Sequence, residues 1–191
     1  MGLIASLVLL FAVGGALTYI GMIYNGLIAM RNDIDKSWAN IDVLLKQRHD
    51  EVPRLVDVCK GYMQYERETL QALIEARTRY ATAATLEQKA QASGNVSASI
   101  GEVFAVAEKY PALQANTSFL ELQKRISELE SQIADRREFY NDAITIFNTR
   151  LQQMPDVAVA RMFGIRPRFM FVVSAAEKQP VKLELSGKDI R

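Results

Sequence analysis

The first thirty residues contain no charged side chain, and this feature constrains the chain more than any other. The run from Leu3 to Ile23 is long enough to cross a bilayer, because about twenty helical residues span the roughly 30 Å hydrocarbon core. Tyr19 and Tyr24 fall near one end of the run, where amphipathic rings favour the membrane interface. We therefore expect a transmembrane anchor over residues 1–26.

A cleaved secretory signal is the competing interpretation of the same run. Such a signal begins with a positively charged segment and ends at an A-x-A-like cleavage site. Here the amino terminus is the only positive group before the apolar run, and Ala12-Val13-Gly14 matches the cleavage pattern poorly. We expect an anchor that stays attached.

Basic residues beside the anchor predict its orientation. None precedes the run, whereas Arg31 and Lys36 follow it closely, with Lys46 and Arg48 further on. By the positive-inside rule, the C-terminal body lies in the cytoplasm and the N-terminus outside. A periplasmic body is the alternative.

Composition and motifs point away from several classes of function. The 23 basic and 22 acidic residues nearly cancel, so the chain has no large field to attract a nucleic acid. Cys59 and His49 are the only residues of their types, and nothing has the spacing of a metal site. No phosphate-binding, dinucleotide-binding or nucleophile motif occurs. We predict a protein that is not an enzyme and that needs no cofactor, metal or nucleic acid.

Apolar residues recur in alternating steps of three and four after the anchor, a pattern typical of a coiled coil or four-helix bundle. A first stripe runs from Leu27 to Tyr80, and a second from Phe119 to Met154. We predict an all-α fold in which the transmembrane helix is followed by an elongated antiparallel bundle over residues 27–155, with the two stripes packed on each other.

Proline interrupts the first stripe at Pro53. Because proline lacks an N–H and its ring presses on the preceding turn, it either kinks this helix or begins a second one. Asp50 has the right side chain to cap such a second helix.

Two later breaks are expected between the stripes. Gly94-Asn95 predicts a surface turn within residues 91–97, followed by a short helix from about Val96 to Glu108. The segment from Tyr110-Pro111 to Asn116 is the next break, with Asn116 or Thr117 capping the third helical segment, which Pro155 ends.

The tail over residues 156–191 differs in kind. Residues 163–173 mix aromatic side chains with two arginines and cannot form one regular helix across Pro167. Apolar and charged residues alternate over 181–185, as in a strand. We expect a short irregular tail that packs on the bundle or extends from it; the alternative is a segment that contacts a partner or the membrane.

A set of short motifs follows the anchor in a distinctive order. It comprises Tyr24-Asn25, Arg31-Asn32, Trp38, Ile41-Asp42-Val43, Lys46, Arg48, Asp50, Pro53, Leu55-Val56, Lys60-Gly61-Tyr62, Ala76-Arg77, Tyr110-Pro111, Phe119, Arg136, Tyr140-Asn141, Phe147-Asn148, Pro155, Ala160 and Phe163-Gly164. In these motifs and their spacing, the chain resembles the LemA family of bacterial membrane-anchored proteins.

The resemblance implies an N-terminal transmembrane helix, an N-out orientation in the bacterial inner membrane and a long helical bundle. It implies no reaction, because the family has no established biochemical activity. A relative acts in building magnetosome membranes, which makes a membrane-organising role plausible by analogy. The departures are Tyr65 where histidine is usual, Met154 where phenylalanine is usual, and Cys59 where an aliphatic residue is usual.

Several of these residues are candidates for structural or interaction roles. They are Arg31, Trp38, Asp42, Lys46, Arg48, Asp50, Arg136, Tyr140, Phe163 and Phe169. An enzyme would use Asp42 and Asp50 as a carboxylate pair, but eight helical residues separate them by about 12 Å. The structural interpretation is that Arg31 and Arg48 pair with acids of the third segment and fix its register. Trp38 is expected to anchor the core.

Three functions of different class follow. The first is a scaffold or assembly protein at the bilayer, acting through self-association of helix faces or binding of another membrane protein. The second is an enzyme, or an accessory subunit of a membrane protease or transporter. The third is an exported binding protein. The stripes and the absence of catalytic motifs favour the scaffold.

Overall fold

The computed structural model describes residues 2–172, and these residues form helices without any strand. The helices are α1 (Gly2–Lys60), α2 (Arg67–Thr82), α3 (Leu86–Ala107), α4 (Pro111–Gln114), α5 (Thr117–Arg150) and α6 (Asp156–Met162). The predicted all-α fold is confirmed. The strand-like alternation over 181–185 lies outside the described residues.

The two long stripes pack on each other, as predicted. The middle of α1, from Ile23 onward, shares a core with the C-terminal end of α5, where Leu27 and Phe147 are both fully buried. The C-terminal part of α1 shares a second core with the start of α5, through Leu55 and Phe119. The two helices are therefore antiparallel. Helices α2 and α3 pack mainly on each other and complete the four-helix bundle.

The beginning of α1 has no protein around it. Residues 2–19 are all exposed, and the first buried side chain is Ile23. This stretch is long and apolar enough to cross a membrane. Helix α1 then runs for 59 residues without a break, so the apolar stretch and the bundle share one rigid element.

Pro53 lies inside α1, so of the two alternatives at this proline the second helix capped by Asp50 does not form. Proline cannot donate to the carbonyl four residues earlier, which leaves the His49 carbonyl without its helical partner. Arg77 of α2 supplies the missing donor, because its Nε lies 3.1 Å from the His49 carbonyl oxygen. A neighbouring helix thus satisfies the group that the proline frees, and the helix continues to Lys60.

The first stripe does not form one helix as far as Tyr80. Helix α1 ends at Lys60, and a turn over residues 61–66 reverses the chain into α2. Met63 within this turn is buried, as are Leu73 and Ala76 of α2. The apolar spacing continues across the turn because α2 faces the same core from the other side.

The prediction of a turn at Gly94-Asn95 is wrong, because both residues lie inside α3. The chain turns earlier, and Thr85 begins α3 with a capping box in which the Gln88 N–H donates to the Thr85 hydroxyl at 3.1 Å. Helix α3 starts ten residues before Val96, at Leu86. A glycine inside a helix costs only about 1 kcal/mol, and burial of neighbours such as Ala92 outweighs that cost.

The ends of α5 and α6 follow local rules. Asn116 caps α5 through its side chain, as predicted, since the Phe119 N–H donates to Oδ1 at 3.0 Å. Helix α5 ends at Arg150, shortly before Pro155. Gly164 has φ +65° and follows α6, where the Ile165 N–H donates to the Ala160 carbonyl at 2.9 Å. This glycine turns the chain back along the bundle.

Candidate functional site

A polar layer divides the interior of the bundle into two apolar clusters. It consists of Arg48 from α1, Ser93 and Ser97 from α3, and Glu130 from α5. The cluster nearer the anchor includes Leu45 and Ile133, and the distal cluster includes Val52 and Ile126. The layer therefore sits at the same level on three helices.

Arg48 is the centre of this layer, with only 1% of its surface exposed. Its Nη1 donates to Glu130 Oε1 at 2.8 Å and to the Ser97 hydroxyl at 2.7 Å. Its Nη2 donates to the hydroxyl of Ser93 at 2.9 Å and to the carbonyl of that residue at 3.2 Å. A buried guanidinium with this many directed partners can be satisfied in only one alignment of the helices, so it fixes their register.

Two further acids of α1, Glu51 and Asp42, form ion pairs beside the polar layer. Glu51 is buried and accepts from Arg125 of α5 at 2.7 Å and from Arg54 at 3.2 Å. Asp42 pairs with Lys89 of α3 at 3.4 Å. These contacts tie α1 to α5 and α3 on both sides of Arg48, and none of them exposes a carboxylate pair to a substrate.

Burial shifts the pKa values of several titratable groups in the bundle. Burial lowers the pKa of His49 below its usual 6.5, and Arg77 lowers it further. Burial raises the pKa of the Cys59 thiol to about 11 and that of the Tyr80 hydroxyl to about 12. Cys59 is therefore an unreactive thiol at neutral pH, as expected of a small residue in the core.

The tail segment, residues 163–172, is held to α5 by two asparagines. The Asn148 side chain accepts from the Arg168 N–H at 2.9 Å and donates to the carbonyl of that residue at 2.8 Å. Asn141, two turns away, contacts Phe171 in the same manner at 2.7 and 3.2 Å. Each asparagine thus satisfies both backbone groups of one tail residue, which lets an extended chain lie on a helix.

Aromatic rings fasten the end of the tail segment. Trp38 is half-buried, and its ring centroid lies 5.8 Å from that of Tyr140 and 5.8 Å from that of Phe171. The guanidinium of Arg137 lies 4.9 Å from the Phe171 ring centroid. The buried Phe171 completes the cluster nearer the anchor, so this part of the tail belongs to the core.

Similarity to known proteins identifies the family of this chain. The model of the LemA family matches residues 37–185, most of the chain. The chain belongs to the LemA family. It is similar to Magnetosome protein MamQ 2 of Paramagnetospirillum magneticum, with 23% identity over 84% of this chain and 68% of that protein. Protein LemA of Metamycoplasma hominis is 25% identical over 82% of this chain and 72% of that protein.

The LemA-family motif residues fall into a group inside the bundle and a group on its surface. Arg48, Tyr140 and, in part, Trp38 and Asp42 contribute to packing between helices. Lys46, Asp50, Arg136, Phe163 and Phe169 are exposed. The predicted ion pair between Arg48 and an acid of the third segment is confirmed at Glu130.

The equivalent prediction for Arg31 is wrong. Its side chain is exposed and makes no ion pair within the described residues. Arg31 instead lines a cleft of about 390 Å³ between α1 and the tail segment. The part of α5 that packs beside α1 at this end of the bundle, residues 143–150, contains no acid that could pair with Arg31.

Sequence reasoning about this LemA-family chain missed the two asparagine clamps and the serines of the polar layer. Asn141 and Asn148 are seven residues apart in the sequence. This spacing places both side chains on one face of a helix. Because asparagine is a poor helix former, two of them on one face indicate that another part of the chain binds there. Ser93 and Ser97, four residues apart, likewise share one face of a helix and contact a buried arginine.

Proposed function

We propose that this LemA-family protein is a membrane-anchored scaffold without catalytic activity, which holds copies of itself at a set geometry on the bilayer. The observation that supports this most directly is the unbroken α1, which joins the apolar stretch to the bundle core. A helix without a flexible linker fixes the height and angle of the bundle. A tethered enzyme would gain from a flexible linker, which permits it to search for substrate.

The outer face of α5 is the proposed contact surface. Phe139 and Ile146 lie two turns apart on this face, and 63% and 59% of their surfaces are exposed. Large exposed apolar side chains on one face are typical of interaction sites. A second copy anchored in the same bilayer would present the same face at the same height, which suits a symmetric contact. We therefore assign the surface to self-association.

The proposed location is the bacterial inner membrane, with the N-terminus outside and the body in the cytoplasm. Arg31 and Lys36 closely follow the apolar stretch, which supports this orientation. The likeness to proteins named as magnetosome proteins supports a structural role by analogy alone.

Cross-linking in native membranes tests the self-association. The only native cysteine, Cys59, is buried with a raised pKa, so an introduced thiol is the reactive one. Phe139→Cys is expected to give a homodimer with a short bis-maleimide, whereas Gln71→Cys, exposed on α2, is expected to remain monomeric. If one foreign protein were captured in place of the homodimer, the scaffold proposal would be wrong, and the chain would instead be an accessory subunit of that protein.

Thiol accessibility tests the orientation. Tyr65 lies in the turn after α1, far from the anchor, and is 93% exposed. A membrane-impermeant maleimide is expected to label Tyr65→Cys only after the inner membrane is opened. Labelling when the outer membrane alone is opened would place the body in the periplasm.

A further inference from the structure

The end of the bundle next to the apolar stretch has an open cleft with an aromatic wall and with cations that have no acid partner among residues 2–172. It is lined by Tyr24, Ile28 and Arg31 of α1 and by residues 163–169 of the tail segment, and its volume is about 390 Å³. The rings of Tyr24 and Phe163 meet at its lower edge with centroids 4.6 Å apart. The cleft is therefore built from two parts of the chain that meet where the anchor leaves the bilayer.

The charges in this region are unbalanced. From Arg150 to Val172 the chain has four arginines and one acid, Asp156, which pairs with Arg150. The cleft residue Arg168 pairs with Asp35 at 3.1 Å. The other two cleft arginines, Arg31 and Arg166, make no ion pair or hydrogen bond within residues 2–172. The acids on this surface are thus already paired, and two cations remain available.

The height of the cleft matches the lipid headgroups. The bundle core begins at Ile23, so the hydrocarbon core ends near that residue. Arg31 lies about two helical turns beyond Tyr24, roughly 10 Å along the axis, and helical side chains tilt toward the N-terminus, here toward the membrane. The headgroup layer adds roughly 5–8 Å on each side of the hydrocarbon core. Arg31 can therefore reach lipid phosphates, and Arg166 lines the same cleft.

We propose that this cleft binds the phosphate of an anionic phospholipid, with Arg31 and Arg166 as the phosphate ligands. Tyr24 and Phe163 pack against the glycerol region below, where aromatic rings are favoured. A guanidinium fits this role because it donates two parallel hydrogen bonds to a phosphate. The proposal rests on the membrane anchor and is independent of self-association. It gives the tail segment a role, which is to form the second wall of a lipid site.

Spin-labelled lipids test the proposal on the full chain in phosphatidylcholine vesicles. The measurement compares the motionally restricted fractions of spin-labelled phosphatidylglycerol and spin-labelled phosphatidylcholine. The wild-type chain is expected to prefer phosphatidylglycerol, and the Arg31→Gln/Arg166→Gln variant to lose that preference by at least about five-fold. Arg31→Lys/Arg166→Lys is expected to retain most of it, because the charge remains.

A matched control removes the same charge elsewhere. Lys109 and Lys124 are exposed at the end of the bundle far from the anchor, so Lys109→Gln/Lys124→Gln is expected to keep the wild-type preference. Trp38 fluorescence, which reports the fold near the tail segment, is expected to be unchanged in all variants.

Other outcomes would overturn the proposal. An equal loss in the lysine control would indicate general charge attraction, and no preference in the wild type would indicate that the cleft binds no anionic lipid. Loss of the preference on adding soluble glycerol phosphate would identify a site for free phosphate. Flotation with the vesicles is measured on the same samples. Failure to float would disprove the anchor itself, whereas a floating chain without the preference would disprove only the lipid site.

Discussion

The charge on Glu130 is predicted to stabilise the bundle strongly, because Glu130 is the only acid hydrogen-bonded to Arg48 among residues 2–172. Glu130→Gln keeps the size of the side chain and removes its charge, which leaves a cation that is 1% exposed without a counter-ion. Breaking a buried ion pair in this way costs about 3–5 kcal/mol. Since the Glu130 side chain is 27% exposed and water reaches it, we expect a cost near the lower limit, about 3 kcal/mol.

The opposite substitution is expected to cost less. Arg48→Met fills a similar volume and leaves Glu130, which can be solvated, so the expected cost is about 1–2 kcal/mol. In the double variant no unpaired cation remains. Its free energy of unfolding should therefore be higher than that of Glu130→Gln alone, even though it contains one more substitution.

Urea titration of the full chain in detergent micelles measures these differences. Trp38 is the only tryptophan, and it packs on Tyr140 and Phe171 in the cluster nearer the anchor. Its fluorescence therefore reports loss of helix packing. Glu138→Gln, which removes an exposed acid on the same helix, serves as the control and should cost less than about 0.5 kcal/mol. If Glu130→Gln were as mild as this control, Arg48 would not depend on its counter-ion.

Four further outcomes are expected. Asn148→Ala removes both backbone contacts of one tail residue, so tryptic cleavage within the tail segment should accelerate while the bundle loses only about 1 kcal/mol. Cys59 should react with maleimide at pH 8 only after denaturation, and reaction of the native chain would contradict its burial. Because the folded chain holds the pKa of His49 below 6.5, the unfolded chain binds that proton first as the pH falls. Stability should therefore be independent of this group above about pH 6.5 and decline below it, and His49→Gln should remove that decline if the assignment is right. Arg77→Leu should cost about 1 kcal/mol more in the wild type than in Pro53→Ala, where the His49 carbonyl regains a helical donor; equal costs would show that Arg77 does not compensate the proline.

The periodic features of the sequence predicted the parts of the fold that depend on burial. The stripes that include Leu27 and Phe147 identified the helices, their antiparallel pairing and the all-α class, because a 3-4 step leaves few other ways to bury those residues. Asn116 could be predicted as a helix cap because its side chain binds a backbone N–H only three residues further along the chain.

The parts that failed depend on contacts between distant residues. Pro53 by itself favours a break in the helix. The helix continues because Arg77, on another helix, donates to the carbonyl that the proline leaves free. Gly94-Asn95 favours a turn by local propensity, but the packing of α3 on its neighbours keeps these residues helical. The polar layer was predicted only in part, since Arg48 could be expected to find an acid, but no local pattern indicates which of the acids on α5 lies at its level.

The antiparallel pairing of α1 with α5 has a consequence for synthesis of the chain. Roughly 60 residues separate the end of α1 from the start of α5, and translation proceeds at about 5–20 residues per second. The buried side of α1 from Ile23 onward must therefore wait several seconds for its partner after α1 has been synthesised. Completion of the cluster that contains Leu27 and Phe147 waits still longer, because it needs Phe171, which is synthesised after α5. A nascent chain of this protein is thus predicted to need a chaperone, or the bilayer surface itself, as a temporary cover for α1.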